Sequence, residues 1–151
     1  MQLPASAGFC SSLNPDFSGT WELSGERSTP KRTGKATLHI DHRDPQLTVE
    51  TTMFRGAGEP RHAVQHYSTD GRTSVTTGAD GDEFHTSIVW EGESLVFSIE
   101  EHEDGRILRS REKWTLIQNA AALERVREDS QASLAGSERQ ILIYLRKAPQ
   151  T

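Results

Sequence analysis

Three Asp-Gly pairs, in "TDGR" (69–72), "ADGDE" (79–83) and "EDGR" (103–106), punctuate a chain whose apolar and polar residues otherwise alternate. Asp-Gly is a pair that two-residue hairpin loops favour, because both loop positions take positive φ. "EGES" (91–94) adds a glycine in another tight loop, and "HRDPQ" (42–46) contains a proline that cannot donate to a ladder. Between these breaks the alternation has a period of two, the signature of strands with one face in a core. Strands are expected near 17–24, 35–42, 46–54, 61–69, 72–77, 83–90, 94–102, 106–117, 121–129 and 138–147. "IQNAAALERVRE" (117–128) could pass as a short helix, but its continuation alternates better as a strand. "SQASLAGSE" (130–138) reads as a small-residue loop.

A run of short strands joined by tight turns is a meander, and a meander removes its exposed edges by closing. The expected fold is therefore all-β, a single antiparallel up-and-down barrel of about eight to ten strands. The 151 residues suffice for one self-supporting domain. Residues 1–13 are expected to form a flexible lead-in and 14–151 the barrel. The apolar share of 33% is modest but fits strands that bury alternate residues.

Composition narrows the function classes. Net charge is -5 and no basic stripe carries interleaved aromatics, so nucleic acid is not an expected partner. No apolar run approaches 18 residues, so no membrane-spanning helix is expected. The first residues lack a basic start and an apolar stretch, so they do not read as a signal peptide. The expected compartment is the cytoplasm, or outside it if a leader has been removed. The lone Cys10 cannot form an intrachain disulfide, which suits a reducing compartment. Charge is unevenly placed: residues 1–105 hold 8 Lys+Arg and 17 Asp+Glu, and residues 106–151 hold 9 and 5. In a closed barrel the last strands lie beside the first, so ordinary cross-strand ion pairs account for the asymmetry.

"DFSGTWEL" (16–23) places a Gly-x-Trp on the first strand. Tryptophan buries a large area with one polar group to satisfy, which suits a plug at a barrel end. Gly19 allows close backbone approach beside Trp21. "NPDFSGTWELSGERS", with "LHIDHRDPQLTVE", "YSTDGR", "IVWEGESLVFS" and "REKWTLIQ", resembles a group of small bacterial lipocalin-like proteins over roughly residues 14–147. More broadly, Gly19-Thr20-Trp21 resembles the Gly-x-Trp of the calycin superfamily, which includes lipocalins, fatty-acid-binding proteins and avidins. That resemblance implies a lipocalin-like barrel with a late arginine stacked across the tryptophan. Arg146 in "ILIYLRKA" occupies the matching place. Nitrobindins are similar in size and in the Gly-x-Trp, and hold haem through a histidine near the C-terminus. This chain has no histidine after His102, so haem does not carry over.

Function then depends on what the interior presents. Alternation groups Leu38 with Ile40, Leu47 with Val49, Thr51 and Met53, and Val64 with His62, His66 and Ser68. It also groups Phe84, Thr86, Ile88 and Trp90, then Leu95, Phe97 and Ile99. Later come Leu108, Ser110, Glu112, Trp114 and Leu116, then Leu123, Arg125 and Arg127, then Ile141, Ile143 and Leu145. Mostly apolar walls with sparse polar groups describe a small-molecule pocket. His66, Trp90, Phe97, Glu112, Trp114, Arg125 and Arg127 are the candidate ligand-binding residues. The expected function is binding of a small, largely apolar ligand, with an arginine able to hold an anionic group. The alternative is a cofactor-independent cyclase or isomerase with Glu112 or His66 as acid or base and an arginine stabilising negative charge.

No cofactor or metal is expected. His62 and His66 lie four residues apart on one strand, about 13 Å, too far to share an ion. His39 and Asp41 lie about 7 Å apart but lack a third ligand. "EEHEDG" (100–105) and "ADGDE" (79–83) lack the ordered spacing of a calcium loop and read as solvated hairpin tips.

Overall fold

The computed structural model describes residues 14–54, 56, 58–78, 81–129 and 139–148. The lead-in with Cys10 and the 130–138 loop lie outside the described residues. Ten strands follow in chain order: β1 (Gly19–Thr29), β2 (Lys35–Arg43), β3 (Gln46–Phe54), β4 (Arg61–Ser68) and β5 (Ser74–Thr77). β6 (Glu83–Glu91), β7 (Ser94–Glu103), β8 (Arg106–Ile117), β9 (Ala122–Asp129) and β10 (Gln140–Arg146) complete the chain. No helix among the described residues is long and apolar enough to cross a membrane.

The strands form one antiparallel sheet in the order β4-β3-β2-β1-β10-β9-β8-β7-β6-β5. The first and last strands are therefore neighbours, with Trp21 opposite Arg146 and Leu23 opposite Tyr144. β4 lies beside β5 and β6 without a ladder to either, so the barrel is nearly closed and carries one slot. The ambiguous segment before β9 is a turn. Its continuation is the strand Ala122–Asp129, as its alternation implies.

Turn chemistry accounts for the β7–β8 hairpin, whereas Asp70-Gly71 joins β4 to β5, which share no ladder, and Asp80 lies outside the described residues. Asp104 and Gly105 both have positive φ, 46° and 77°, as a two-residue hairpin loop between β7 and β8 requires. The β1–β10 ladder shifts register between Ser24 and Thr29. There Ile143 donates its N–H to Ser28 Oγ at 3.1 Å.

The interior divides into a packed end and an open end. Phe17, Trp21, Leu38, Ile40, Leu47, Val49, Ile88, Leu95, Phe97, Trp114, Leu123 and Tyr144 form one buried cluster. Trp21 is fully buried, and its indole N–H donates to the Phe17 carbonyl at 3.1 Å. The Arg146 guanidinium lies 4.2 Å above its ring and donates to the carbonyls of Ser18 and Ala120. A Cβ on Gly19 would stand 2.6 Å from that guanidinium, at a φ of 140° that side chains rarely adopt. Glycine is therefore favoured there by conformation, and a side chain would displace the guanidinium from its place over Trp21.

A polar latch closes the same end. His42 Nδ1 accepts the Phe17 N–H at 3.1 Å, so its Nε2 carries the proton and donates to Asp44 at 3.0 Å. Asp44 also accepts from Thr69 at 2.7 Å and from the Trp90 indole at 3.3 Å. Burial alone would raise the Asp44 pKa, but the hydrogen bonds from Thr69 and His42 outweigh it and hold the carboxyl below 3.8. Asp16 is held low too, with its burial outweighed chiefly by hydrogen bonds from Ser18. Depressed carboxyl pKa values stabilise the fold above the unfolded value, and that contribution disappears as pH falls through the folded one. The thermal midpoint should therefore drop on acidification from about pH 6 to about pH 3. Asp44→Asn should start lower and drop by less. Parallel pH profiles of the two proteins would contradict this role for Asp44.

Among the described residues, cross-strand ion pairs join the acidic and basic parts of the chain. Glu100 pairs with Arg109, and Glu91 with Arg111 and Lys113, across the outer faces of β6, β7 and β8. These pairs are exposed and worth little each.

Candidate functional site

β8 and β9 turn three charged side chains inward because Glu112 lies opposite Arg127 and Trp114 opposite Arg125. Inward residues at those positions share one face, as antiparallel register demands. Glu112 is 4% exposed. Its Oε1 accepts the Trp114 indole N–H at 2.8 Å and the Arg125 Nε–H and Nη2–H, both at 2.9 Å. Arg125 also donates from Nη1 to the Tyr144 hydroxyl at 3.0 Å. Its guanidinium lies 4.8 Å from the Trp114 ring centre and 5.4 Å from that of Tyr144. Each of these contacts engages Arg125 with the protein itself.

Arg127 is held differently. Its Nη1 is 3.8 Å from Glu112 Oε2 and its Nε is 3.8 Å from Asp129, both beyond hydrogen-bonding distance. Its side chain is 43% exposed. It lines an open cavity of about 340 Å³ with Phe84, Ile99, Leu108 and Ser110, and the charged Glu101, Arg109 and Asp129 share the wall. Phe84 also borders the slot between β4 and β5, a space of about 440 Å³ lined by Thr51, Met53, Ala63, Gln65 and Thr76. A larger hollow of about 720 Å³ opens where β1 and β2 diverge. It lies among Glu22, Lys35 and Lys147, and none of the inward charged groups lines it.

The electrostatics follow from burial against pairing. Burial would raise the Glu112 pKa, but Arg125, the Trp114 hydrogen bond and Arg127 outweigh it and keep the carboxylate ionised. Burial pulls Arg125 down, and the Glu112 charge pushes it further up, so it stays cationic. Burial, reinforced by the Glu112 charge, raises Tyr67 to about 12 and keeps it a neutral phenol.

Several expected residues occupy other places. His66 points outward on β4, exposed, with Nδ1 3.2 Å from Thr48 Oγ1. The inward residues of β4 are Gln65 and Tyr67, because they pair with Val49 and Leu47. A one-residue shift in the assumed face inverts a whole strand, and that is what the His62-Val64-His66 grouping did. Trp90 lies at the closed end, its ring centre 5.9 Å from His42, away from the cavity lined by Arg127. Phe97 and Trp114 are sealed in the core, stacked at 4.5 Å. Glu112, Trp114 and Arg125 come together, with Arg127 at their edge.

Tyr144 and Tyr67 were not among the expected residues. On β10 the inward face is Leu142 and Tyr144, opposite Arg125 and Leu123, whereas Ile141, Ile143 and Leu145 face out. Three aliphatics on one face mimic a core side, and the central one, Ile143, is itself buried. Of the two groups named for the catalytic alternative, His66 lies exposed outside the barrel, and Glu112 is engaged by Trp114 and Arg125.

No protein-family model matches the sequence, and no curated protein matches it at a significant level. Solved structures do match in shape. A structure titled REP1-NXSQ fatty acid transporter superposes with a TM-score of 0.64 at 12% identity, covering 89% of this chain and 98% of its own. The secretory abundant heat soluble protein 4 of Ramazzottius varieornatus gives 0.60 at 13% identity, over 87% and 95%. The wild-type fluorescent protein UnaG gives 0.59 at 15% identity, over 87% and 97%. The chain thus has the fold of the calycin barrels, the lipocalin and fatty-acid-binding type.

Proposed function

We propose that this barrel binds a small, largely apolar molecule bearing one anionic group. The tail would occupy the cavity between Phe84, Ile99 and Leu108, and the anion would sit on Arg127. The observation that carries this reading is the contrast between the two arginines. Arg125 is engaged by Glu112 and Tyr144, whereas Arg127 borders the cavity with both carboxylate neighbours at 3.8 Å. A guanidinium presents a fork suited to a carboxylate, and Asp129 is exposed enough to swing aside. The fatty acid transporter of the same fold supports this ligand class by analogy.

The test compares dodecanoate with dodecanol by calorimetry. Dodecanoate should bind saturably, one per chain and about tenfold tighter than the alcohol, equivalent to about 1.4 kcal/mol. Arg127→Leu should remove that preference while leaving alcohol binding intact. Absence of saturable dodecanoate binding, or an unchanged preference in Arg127→Leu, would overturn the reading.

A further inference from the structure

The inward charged row continues past β9. Gln140 lies opposite Arg127, as Arg127 lies opposite Glu112, so the three side chains share the inner face at the open end. The segment between β1 and β2 adds a fourth member. Arg32 donates its backbone N–H to the Gly25 carbonyl at 3.1 Å, and a Cβ on Gly25 would collide with the Arg32 carbonyl, so the glycine lets this segment close on β1. From there the Arg32 guanidinium reaches Gln140, its Nη2 donating to Oε1 at 2.7 Å.

Two features set Arg32 apart from the other inward arginines. Arg125 is paired with Glu112, and Arg127 stands 3.8 Å from Glu112 and from Asp129. Arg32 is half-buried, and among the described residues no carboxylate pairs with it. In addition, its Nε–H is a buried donor with no hydrogen-bond partner. Buried donors are nearly always paired in folded chains, so an orphaned one calls for an acceptor that the chain does not supply.

We infer that, given anion binding at Arg127 as proposed above, Arg32 is a second anchor for the same anionic group. Arg127 borders the cavity and is the first contact. One carboxylate oxygen stays on Arg127, and the other is drawn along the row toward Arg32. Gln140 spends its Oε1 on Arg32, which leaves its amide N–H groups as donors between the two guanidinia. Held by a single side-chain hydrogen bond, the Arg32 guanidinium turns about its torsions to present Nε to the oxygen. Side-on contact of that kind is the geometry in which arginine recognises a carboxylate. The charge count agrees. Glu112 and Arg125 cancel, and Asp129 lies near Arg127, so Arg32 carries the uncompensated positive charge of the row. A single anionic head balances it, and a neutral head does not.

The experiment measures dodecanoate and dodecanol binding by calorimetry to the full chain, Arg32→Met and Arg32→Lys, with the arginine Nε–H NMR signals followed alongside. In the parent, dodecanoate should shift the Nε–H signals of both Arg32 and Arg127, and dodecanol neither. Arg32→Met should lower the preference for the acid from about tenfold to about threefold, with dodecanol affinity unchanged. Arg32→Lys should fall between the two, because it keeps the charge and loses the fork. If Arg32 only ties its segment to β10, Arg32→Met would weaken both ligands equally and keep the preference, which would overturn the second anchor. An Arg32 signal unmoved by dodecanoate while that of Arg127 shifts would overturn it too, and would leave Arg127 as the sole anion contact. Dodecanoate failing to bind the parent would instead overturn binding at Arg127, and the second anchor with it.

Discussion

Arg125→Met should destabilise the barrel by about 3–5 kcal/mol, because it strands the Glu112 carboxylate in the interior. Glu112 Oε1 would keep the Trp114 indole but lose two charge-assisted donors, and Tyr144 would lose its bond as well. Arg127 at 3.8 Å is a partial substitute only. The cost comes from the orphaned charge, not from the net worth of the pair. A well-packed apolar pair is often as stable as a buried ion pair. The double variant Glu112→Leu/Arg125→Met should accordingly return close to the parent stability. Urea denaturation of the parent, both single variants and the double variant gives the complete cycle. A single Arg125→Met costing under about 1 kcal/mol would show that Glu112 is not dependent on it.

The second large effect is at the closed end. Trp21→Ala should cost about 3–5 kcal/mol through loss of a fully buried indole and the cavity it leaves. The Arg146 guanidinium loses its ring and the Phe17 carbonyl its donor in the same change. Trp21→Phe should recover the larger part by restoring a ring without the N–H. Arg146→Met should cost less, about 0.5–2 kcal/mol, the range of a cation–π contact. Equal losses in Trp21→Phe and Trp21→Ala would assign the effect to the indole hydrogen bond instead of to packing.

Much of this architecture is legible in the residues themselves. Asp-Gly turns and period-two alternation place all ten strands within a few residues of the observed bounds, because each hairpin is a local decision. Arg146 lies over the Trp21 ring and close to Gly19, the three residues that the resemblance singles out. The inward face failed on β4, where Arg61, His62, Gln65 and His66 are polar and Val64 is an exposed aliphatic on the outer side. It failed again on β10, where the aliphatic face is the outer one. Facing is decided by the partner strand's register, which no single strand encodes. The His42–Asp44–Trp90 latch and the Arg32–Gln140 contact were hidden for a related reason. Their members are brought together by ladders and turns, whereas spacing along one strand tests only neighbours on that strand. Trp90 was expected to line the pocket because it shares a face with Phe84. That face runs the full length of the barrel, from the open end to the plug.

An anionic, largely apolar ligand bound inside the barrel against Arg127 would reveal itself in the NMR contacts between dodecanoate and methyl-labelled protein. Contacts should appear from the ligand chain to the inward methyls of Ile99 and Leu108, with the Arg127 side-chain signals shifting at saturation. Contacts confined to the outward methyls of Val64, Val75 and Val89 would place the ligand on the surface and contradict binding against Arg127.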